Sequence, residues 1–200
     1  MKTYLITGCA GFIGSNFVHY MLKKYPEILL VNLDKLTYAG NLENLKDVEG
    51  DPRHVFVQGD ICDEALIEEL FTEHDIRGVI HFAAYSLVGE SMTNPFKYYD
   101  NNMSGTNVLL KAMEDCGVKN IVFSSTAATY GEAQNIPILE TDPTNPTNVY
   151  GETKLAMERM INWYHKAHDT NYVSLRYFNV AGAHESGLIC LLYTSPSPRD

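Results

Sequence analysis

Short apolar runs rich in β-branched and aromatic residues alternate along the chain with segments of helical periodicity. In one such segment the apolar residues Leu66, Ile67, Leu70 and Phe71 recur at helical spacing, and Asp63 ahead of them is a suitable N-cap. The predicted strands are Thr3–Thr7, Ile28–Leu33, Val55–Val57, Gly78–Phe82, Asn120–Phe123 and Tyr172–Leu175. The predicted helices are about Gly11–Lys24, Asp63–His74, Pro95–Cys116 and Tyr150–His168.

This alternation predicts the fold class. Strands separated by helices pair in parallel through right-handed crossovers, so we expect a Rossmann-like, doubly wound parallel α/β sheet. The pattern extends over residues 1–187 as one domain. Gly187–Asp200 is different, because the apolar hexamer Leu188–Tyr193 is followed by a Pro/Ser-rich stretch that continues no earlier pattern. We therefore expect residues 188–200 to form an atypical tail without native structure.

Composition restricts the classes of partner. The chain has 200 residues, of which 45% are apolar, and this is enough for a buried core. With 15 basic and 25 acidic residues its net charge is −10, which argues against nucleic acid or an anionic membrane as a partner. No apolar run approaches the roughly 18 residues of a membrane helix. The four cysteines are too scattered for a metal or redox motif, so we expect free thiols, no metal and a cytoplasmic location.

A glycine-rich turn joins the first strand to the first helix. Gly8 would permit the tight turn, Gly11 would let the backbone approach a pyrophosphate, and Gly14 would let the helix pack closely on the sheet. Exposed N–H groups at the helix N-terminus would then bind the phosphate charge. The spacing is GxxGxxG rather than GxGxxG, so a glycine-rich turn without a ligand is the alternative.

An acidic residue follows at the distance expected of a dinucleotide site. Asp34 stands 20 residues after Gly14 at the end of the second strand, where a carboxylate can accept both ribose hydroxyls. A carboxylate there repels a 2′-phosphate and so favours NAD over NADP, although the neighbouring Lys35 weakens this inference. A solvated acid at a strand end is the alternative. Asp60 and Ile61 end the third strand, at the edge where an adenine would lie.

A phenol and an ammonium lie one helical turn apart in the last predicted helix. Tyr150 and Lys154 share a helix face, and a tyrosine with a pKa near 10 needs a positive field to act as a base. Lys154 and an oxidised nicotinamide would supply that field. Ser124, Ser125 and Thr126 end the fifth strand, where a hydroxyl could bridge a substrate oxygen and the phenol. The alternatives are a surface i,i+4 pair and a hydroxyl-stabilised turn.

Together these motifs resemble the extended short-chain dehydrogenase/reductase family and, within it, the UDP-glucose 4-epimerases. The resemblance covers about residues 1–187. It is carried by Gly8–Gly14, His81–Ala84, Val88–Ser91, Tyr98–Asn102, Phe123–Gly131, the Tyr150/Lys154 pair, Arg176–Asn179 and Gly182–His184.

The resemblance implies a catalytic triad of Thr126, Tyr150 and Lys154, with Ser125, Thr126, Tyr150 and Asn179 on a nucleotide-sugar substrate. It implies NAD-dependent interconversion of UDP-glucose and UDP-galactose, in which C4 is oxidised, the 4-keto sugar rotates, and C4 is reduced again. It also implies a homodimer formed through the two long helices Pro95–Cys116 and Tyr150–His168. The implied NAD contacts are Gly8, Gly11, Phe12, Ile13, Gly14, Asp34, Asp60, Ile61, Phe82, Ala83, Ala84, Asn101, Lys154 and Tyr177.

Two features leave alternatives open. The segments Asp34–Glu43 and Asp60–Asp63 look more like dTDP-glucose 4,6-dehydratase, but that enzyme carries an acid pair where this chain has Ala127 and Ala128. Elimination needs a proton donor, so the chemistry favours the epimerase. Family members also run past about 300 residues, and their later part clamps the nucleotide. A truncated, non-catalytic NAD-binding module is therefore the second alternative, and Gly187–Asp200 resembles translated read-through.

Overall fold

A computed structural model describes residues 1–189 of the chain. The strands are β1 (Lys2–Thr7), β2 (Ile28–Asp34), β3 (His54–Gln58), β4 (Ile76–His81), β5 (Asn120–Thr126) and β6 (Asn171–Tyr177). The helices are α1 (Phe12–Lys24), α2 (Glu64–Glu73), α3 (Val88–Thr93), α4 (Pro95–Tyr98), α5 (Ser104–Asp115) and α6 (Val149–His168). Two 3₁₀ turns, Leu42–Val48 and Ala127–Tyr130, follow β2 and β5.

The six strands form one sheet in the order β3-β2-β1-β4-β5-β6, and every neighbouring pair is parallel. The predicted Rossmann-like, doubly wound sheet is thus confirmed. The strand order reverses between β1 and β4. Because Thr7 pairs with both Leu33 and His81, the carboxyl ends of the three central strands lie level. Ligands bind at this reversal point in open α/β sheets.

Helices cover the two faces of the sheet unequally. On one face Leu5 and Phe123 pack in a core with residues of α2, α5 and α6, such as Met157. On the other face Ile6 packs with Val18 and other residues of α1. Adjacent residues of β1 are therefore buried on opposite faces, which explains why the central strands read as continuous apolar runs.

The predicted helix Pro95–Cys116 is not a single α-helix. It consists of α4, a π-helical turn over Tyr99–Met103, and α5. In the π turn Asn102 is fully buried, and its side chain donates to the Tyr85 carbonyl at 3.1 Å and accepts from the Tyr85 N–H at 2.8 Å. Apolar periodicity carries no signal for this inserted polar residue, so the sequence predicts one regular helix.

Residues 178–189 leave the end of β6 and return to α1. Glu185 forms an ion pair with Lys23 at 3.1 Å, and the rings of His184 and His19 lie 5.1 Å apart. The predicted tail falls largely on residues 190–200, outside the described part of the chain. Within residues 1–189 no helix is long and apolar enough to cross a membrane. In the same range no group of three His, Cys, Asp or Glu side chains is placed to hold a metal ion.

Candidate active site

A cleft of about 730 Å³ opens along the carboxyl ends of the strands. Every site residue predicted from the sequence lines this one cleft, from the glycine turn after β1 to Asn179 after β6. The wall also contains residues that the sequence did not single out, including Tyr38, Tyr85, Ser86 and Phe178. Residues more than 170 positions apart in the chain are therefore brought together by the parallel strand order.

The three glycines of the turn are required for different reasons. Gly8 has a φ of 73°, and an added Cβ would lie 2.7 Å from the Ala83 nitrogen. At Gly14 an added Cβ would overlap the Gly8 carbonyl oxygen, because α1 packs directly on the turn. At Gly11 the nearest protein atom would be 3.6 Å away, which is an ordinary contact. The protein itself needs glycine at the first and third positions, whereas at Gly11 only a ligand would need it.

The N-terminus of α1 faces the same cleft. Gly11 is its N-cap and supplies no side-chain hydrogen bond to the first turn, and Phe12 and Ile13 line the cleft. The first N–H groups of a helix have no partner within the helix, and the helix dipole places positive potential there. This end of the cleft is built to receive an anion such as a phosphate.

Asp34 connects the glycine turn to the loop after β2. One carboxylate oxygen accepts from the Ala10 N–H and the other from the Leu36 N–H, each at 2.8 Å. Each oxygen keeps a further lone pair that a ribose hydroxyl can use. The predicted ribose-binding acid is thus held in a fixed orientation by two backbone bonds.

Lys35, which weakened the choice of NAD over NADP, has a carboxylate partner. Its ammonium lies 2.5 Å from Asp60, at the end of β3. Burial is the largest single effect on Asp60 and disfavours its charged form, but the hydrogen bonds from Lys35 and Cys62 and the charge of Lys35 together outweigh it and lower the pKa of this acid. The cation that would attract a 2′-phosphate beside Asp34 is therefore already paired.

Lys154 is buried at the reacting end of the cleft. It is 2% exposed, its ammonium donates to the Ser124 carbonyl at 2.8 Å, and it lies 4.8 Å from the centre of the Phe123 ring. Burial lowers the pKa of Lys154 to about 7, because the interior solvates the ammonium poorly. The side chain can therefore exchange a proton near neutral pH.

Tyr150 opens α6 beside this lysine. The side chain of Asn148 caps the helix by accepting from the Gly151 N–H at 2.8 Å. Burial raises the pKa of the Tyr150 phenol, and a side-chain hydrogen bond with Thr126 opposes this shift. Thr126 also accepts from the Ala128 N–H at 3.1 Å, so it stabilises the turn after β5 as well as facing the phenol. Burial outweighs this hydrogen bond, so the phenol is neutral near pH 7.

Glu158 and Arg176 lie behind the cleft and were not predicted as site residues. Glu158 stands one helical turn beyond Lys154 and accepts from the hydroxyl of Ser125, which is 2% exposed. Arg176 of β6 binds the same carboxylate, with Nη2 2.7 Å from Oε2 and Nε 2.9 Å from Oε1. The sequence did show that Glu158 lies four residues after Lys154, on the same face of the helix. It did not show that Arg176 of β6 would lie against this carboxylate.

His81 also escaped the sequence analysis as a functional residue. Its Nδ1 lies 2.7 Å from the Thr7 hydroxyl and its Nε2 3.0 Å from the Thr106 hydroxyl. Thr106 donates to the Asn102 carbonyl, so it must accept from His81, which assigns the proton to Nε2. Burial lowers the pKa of His81 to about 3. A neutral histidine thus braces the ends of β1 and β4 beneath the cleft.

A bridge between two loops crosses the mouth of the cleft. The Tyr38 hydroxyl, after β2, accepts from the Ser86 N–H at 2.9 Å, after β4. The Tyr38 ring also stacks on Tyr85, with ring centres 6.1 Å apart. The loops after β2 and β4 are therefore linked to each other in the wall of the cleft.

Comparison with known proteins places the chain among nucleotide-sugar enzymes. Residues 5–190 match the protein family described as GDP-mannose 4,6 dehydratase. A UDP-glucose 4-epimerase of Halalkalibacterium halodurans is 52% identical over 185 residues, which are 92% of this chain and 53% of the relative. The chain thus spans about half the length of the curated relatives it matches.

Two solved structures have the same fold. A UDP-glucose 4-epimerase from Bifidobacterium longum in complex with NAD+ and UDP has a TM-score of 0.88 and 42% identity, covering 94% of this chain and 57% of that one. A dTDP-glucose 4,6-dehydratase from Bacillus anthracis in complex with NAD has a TM-score of 0.79 and 34% identity, covering 88% of this chain and 54% of that one.

Proposed function

Since this chain belongs to the GDP-mannose 4,6 dehydratase family, we propose that it carries the NAD-binding and catalytic part of a UDP-glucose 4-epimerase. One observation carries the proposal. Thr126, Tyr150 and Lys154 meet at one end of a cleft whose other end is a phosphate-binding turn with an acid for the ribose. In such a cleft the N-terminus of α1 would hold the phosphates of a hydride carrier, and Tyr150 would lie on the side of its reactive ring.

NAD is the proposed cofactor, and the residues fit it. The N-terminus of α1 receives the pyrophosphate, Gly11 leaves the space that the phosphates need, and Asp34 accepts from the ribose hydroxyls. Asp60 and Ile61 lie at the adenine end, whereas Asn101 and Tyr177 lie on the opposite side. The remaining proposed contacts are Gly8, Phe12, Ile13, Gly14, Phe82, Ala83, Ala84 and Lys154.

The chain's own side chains account for the proton transfers. Bound NAD would supply the acceptor for the hydride of C4 and the donor that returns this hydride to the opposite face of C4. As C4 loses the hydride, Tyr150 takes the proton of the 4-hydroxyl, and it returns this proton when the 4-keto sugar is reduced. Because burial keeps the phenol neutral, positive charge from Lys154 and from an oxidised nicotinamide is needed to favour the phenolate. The Thr126 hydroxyl bridges the phenol and the substrate oxygen through hydrogen bonds.

The proposed substrate contacts lie between β5 and the chain after β6. Thr126, Tyr150 and Asn179 line this part of the cleft, and so does Ser125. The Ser125 hydroxyl is bound to Glu158, so its contact with the substrate comes through the backbone. We propose that the substrate is a nucleotide sugar.

The dehydratase remains the second candidate, because the loop after β2 resembles it and a dehydratase shares the fold at 34% identity. Dehydration removes the 6-hydroxyl as water and so needs an acid at the reacting end. Among the described lining residues the only carboxylates are Asp34 and Asp60, both at the cofactor end. Ala127 and Ala128 follow β5 instead of acids, which favours epimerisation.

The test is conversion of UDP-galactose in the presence of NAD+. We expect UDP-glucose as the product, and a Tyr150→Phe variant that loses at least about 100-fold in rate, the usual effect of removing a general base. Its affinity for NAD should stay within a factor of about two. A 4-keto-6-deoxy product would indicate the dehydratase, and NAD binding without turnover would indicate a non-catalytic module. Undiminished turnover in the variant would refute the assignment of Tyr150.

We further propose that the protein acts in the cytoplasm as a homodimer. The segments Pro95–Cys116 and Tyr150–His168 carry exposed aromatic side chains, Phe96 at 76% and Trp163 at 67%. Aromatic residues are common in interface cores. Sedimentation equilibrium tests this state directly, and a Trp163→Glu variant should weaken a dimer formed through α6.

A further inference from the structure

Helix α6 is attached to β5 through three successive residues of that strand. The Ser124 carbonyl accepts from Lys154 at 2.8 Å, the Ser125 hydroxyl donates to Glu158, and the Thr126 hydroxyl faces the Tyr150 phenol, whose pKa it lowers. The two outer contacts belong to the reacting centre. The middle contact brings in Glu158, which does not line the cleft and does not belong to the Tyr150/Lys154 motif.

Arg176 keeps the Glu158 carboxylate in one place. It is the cross-strand partner of Ser125 on β6, and it holds both oxygens of Glu158. The side chains are 24% and 10% exposed, so solvent screens the pair weakly. The guanidinium also lies 4.8 Å from the centre of the Tyr130 ring. One carboxylate thus connects α6 to two strands and, through Arg176, to the turn after β5.

We propose that Glu158, held by Arg176, is a positioning residue for the reacting centre. It fixes the position of α6 relative to β5 along the strand, so that Lys154 reaches the Ser124 carbonyl and Tyr150 reaches Thr126. Its negative charge also opposes the loss of charge that burial favours at Lys154. The inference rests on the proposed function only for what Lys154 and Tyr150 do to a substrate.

The charged groups around Lys154 determine the direction in which each substitution should shift its pKa. Glu158 and Tyr150 lie on its own helix, His81 faces it from β4, and Arg176 and Tyr177 belong to β6. Burial lowers the pKa of Lys154, and Glu158 is the group that raises it. His81 stays neutral, and both phenols are uncharged near pH 7. Removing the charge of Glu158 should therefore lower the pKa of Lys154, and removing Arg176 should raise it.

The experiment titrates the whole 200-residue chain, labelled with ¹³C at the lysine ε-carbons, by NMR. The Lys154 signal is assigned by its loss in Lys154→Met. We expect it to titrate near 7 in the parent protein, about 1 unit lower in Glu158→Gln and higher in Arg176→Met, as for a charge a helical turn away. Asp51→Asn is the matched control, because it breaks an ion pair of 2.6 Å to Arg53 far from the cleft. It should leave the Lys154 titration unchanged.

Opposite shifts support the proposal, because general loosening of the fold would move both variants in the same direction. Equal shifts, or no shift in either variant, would overturn it. If Glu158→Gln does not fold, a rise in Arg176→Met decides the question alone. The titration needs no turnover, so failure to convert UDP-galactose would count against the proposed function and not against this role. In an active protein the acid limb of the rate profile should move with the Lys154 pKa.

Discussion

Replacing Gly11 with alanine separates what the fold requires from what a ligand requires. The backbone at Gly11 has φ −76° and ψ 173°, which alanine adopts freely, and the added Cβ meets no protein atom closer than 3.6 Å. Gly→Ala at a compatible site stabilises a protein by about 0.4–1 kcal/mol through the unfolded state. Alanine is a poorer N-cap than glycine by a similar amount. The two effects nearly cancel, so Tm should change by no more than about 4 °C.

Cofactor binding should respond differently. The new methyl group would project into the cleft where the pyrophosphate approaches α1, and it would displace at least one charged hydrogen bond. Such a bond is worth about 1.5–3 kcal/mol, which corresponds to a loss of roughly 10- to 150-fold in NAD affinity. Calorimetric titration with NAD measures this loss, and thermal unfolding measures the stability of the same sample.

Two other glycines supply the controls. Gly50 has open space around it, so Gly50→Ala should leave both affinity and Tm nearly unchanged. At Gly14 the added Cβ overlaps backbone, so Gly14→Ala should destabilise the fold by about 1–3 kcal/mol or more. If Gly11→Ala bound NAD as tightly as the parent, or unfolded like Gly14→Ala, the assignment of this turn to the pyrophosphate would be refuted.

Three further predictions concern the rest of the cleft. Asp34→Asn removes the charge that repels a 2′-phosphate, so the preference for NADH over NADPH should fall about tenfold or more in fluorescence titrations; an unchanged ratio would contradict the role of Asp34. His81 has a pKa of about 3 in the fold, below its unfolded value near 6.5, so its contribution to stability is complete above pH 6.5 and is lost as the pH falls. The free energy of unfolding by urea should therefore rise with pH between 4 and 6.5, and this slope should be smaller in His81→Gln by up to about 1.4 kcal/mol per pH unit. Equal slopes in the two proteins would contradict a buried, neutral His81. Tyr38→Phe removes the bridge to Ser86, and stopped-flow displacement should show NAD leaving several-fold faster; an unchanged rate would mean that the bridge does not limit release.

Local sequence patterns were sufficient to predict the strands of the sheet and the glycine turn. The strands predicted around Leu5, Leu30 and Val79 are buried on both faces, and an apolar run between turns is the direct sequence sign of that environment. The glycine turn and Asp34 were also found, because their spacing along the chain reflects one βαβ unit. All of the predicted site residues line one cleft. Most lie at or just after the carboxyl end of a parallel strand, whereas Asn101, Tyr150 and Lys154 reach the cleft from helical segments.

The residues that were missed depend on contacts between distant parts of the chain. Glu158 is significant because Arg176 pairs with Ser125 across two strands, and no local pattern encodes that register. His81 became visible only when Thr7 and Thr106 were seen on either side of it. The π turn around Asn102 was missed because a helical wheel cannot anticipate one extra residue. Sequence thus predicts the elements and their ends, whereas side-chain networks need the assembled sheet.

The central claim is that hydrogen leaves C4 of a nucleotide sugar as a hydride and returns to the same carbon. The most direct measurement is conversion of UDP-galactose carrying deuterium at C4, followed by NMR of the UDP-glucose formed in ordinary water. The account predicts that the product keeps its deuterium at C4, because the hydride stays with the cofactor while only the Tyr150 proton can exchange with water. Product with hydrogen from the solvent at C4 would contradict the account.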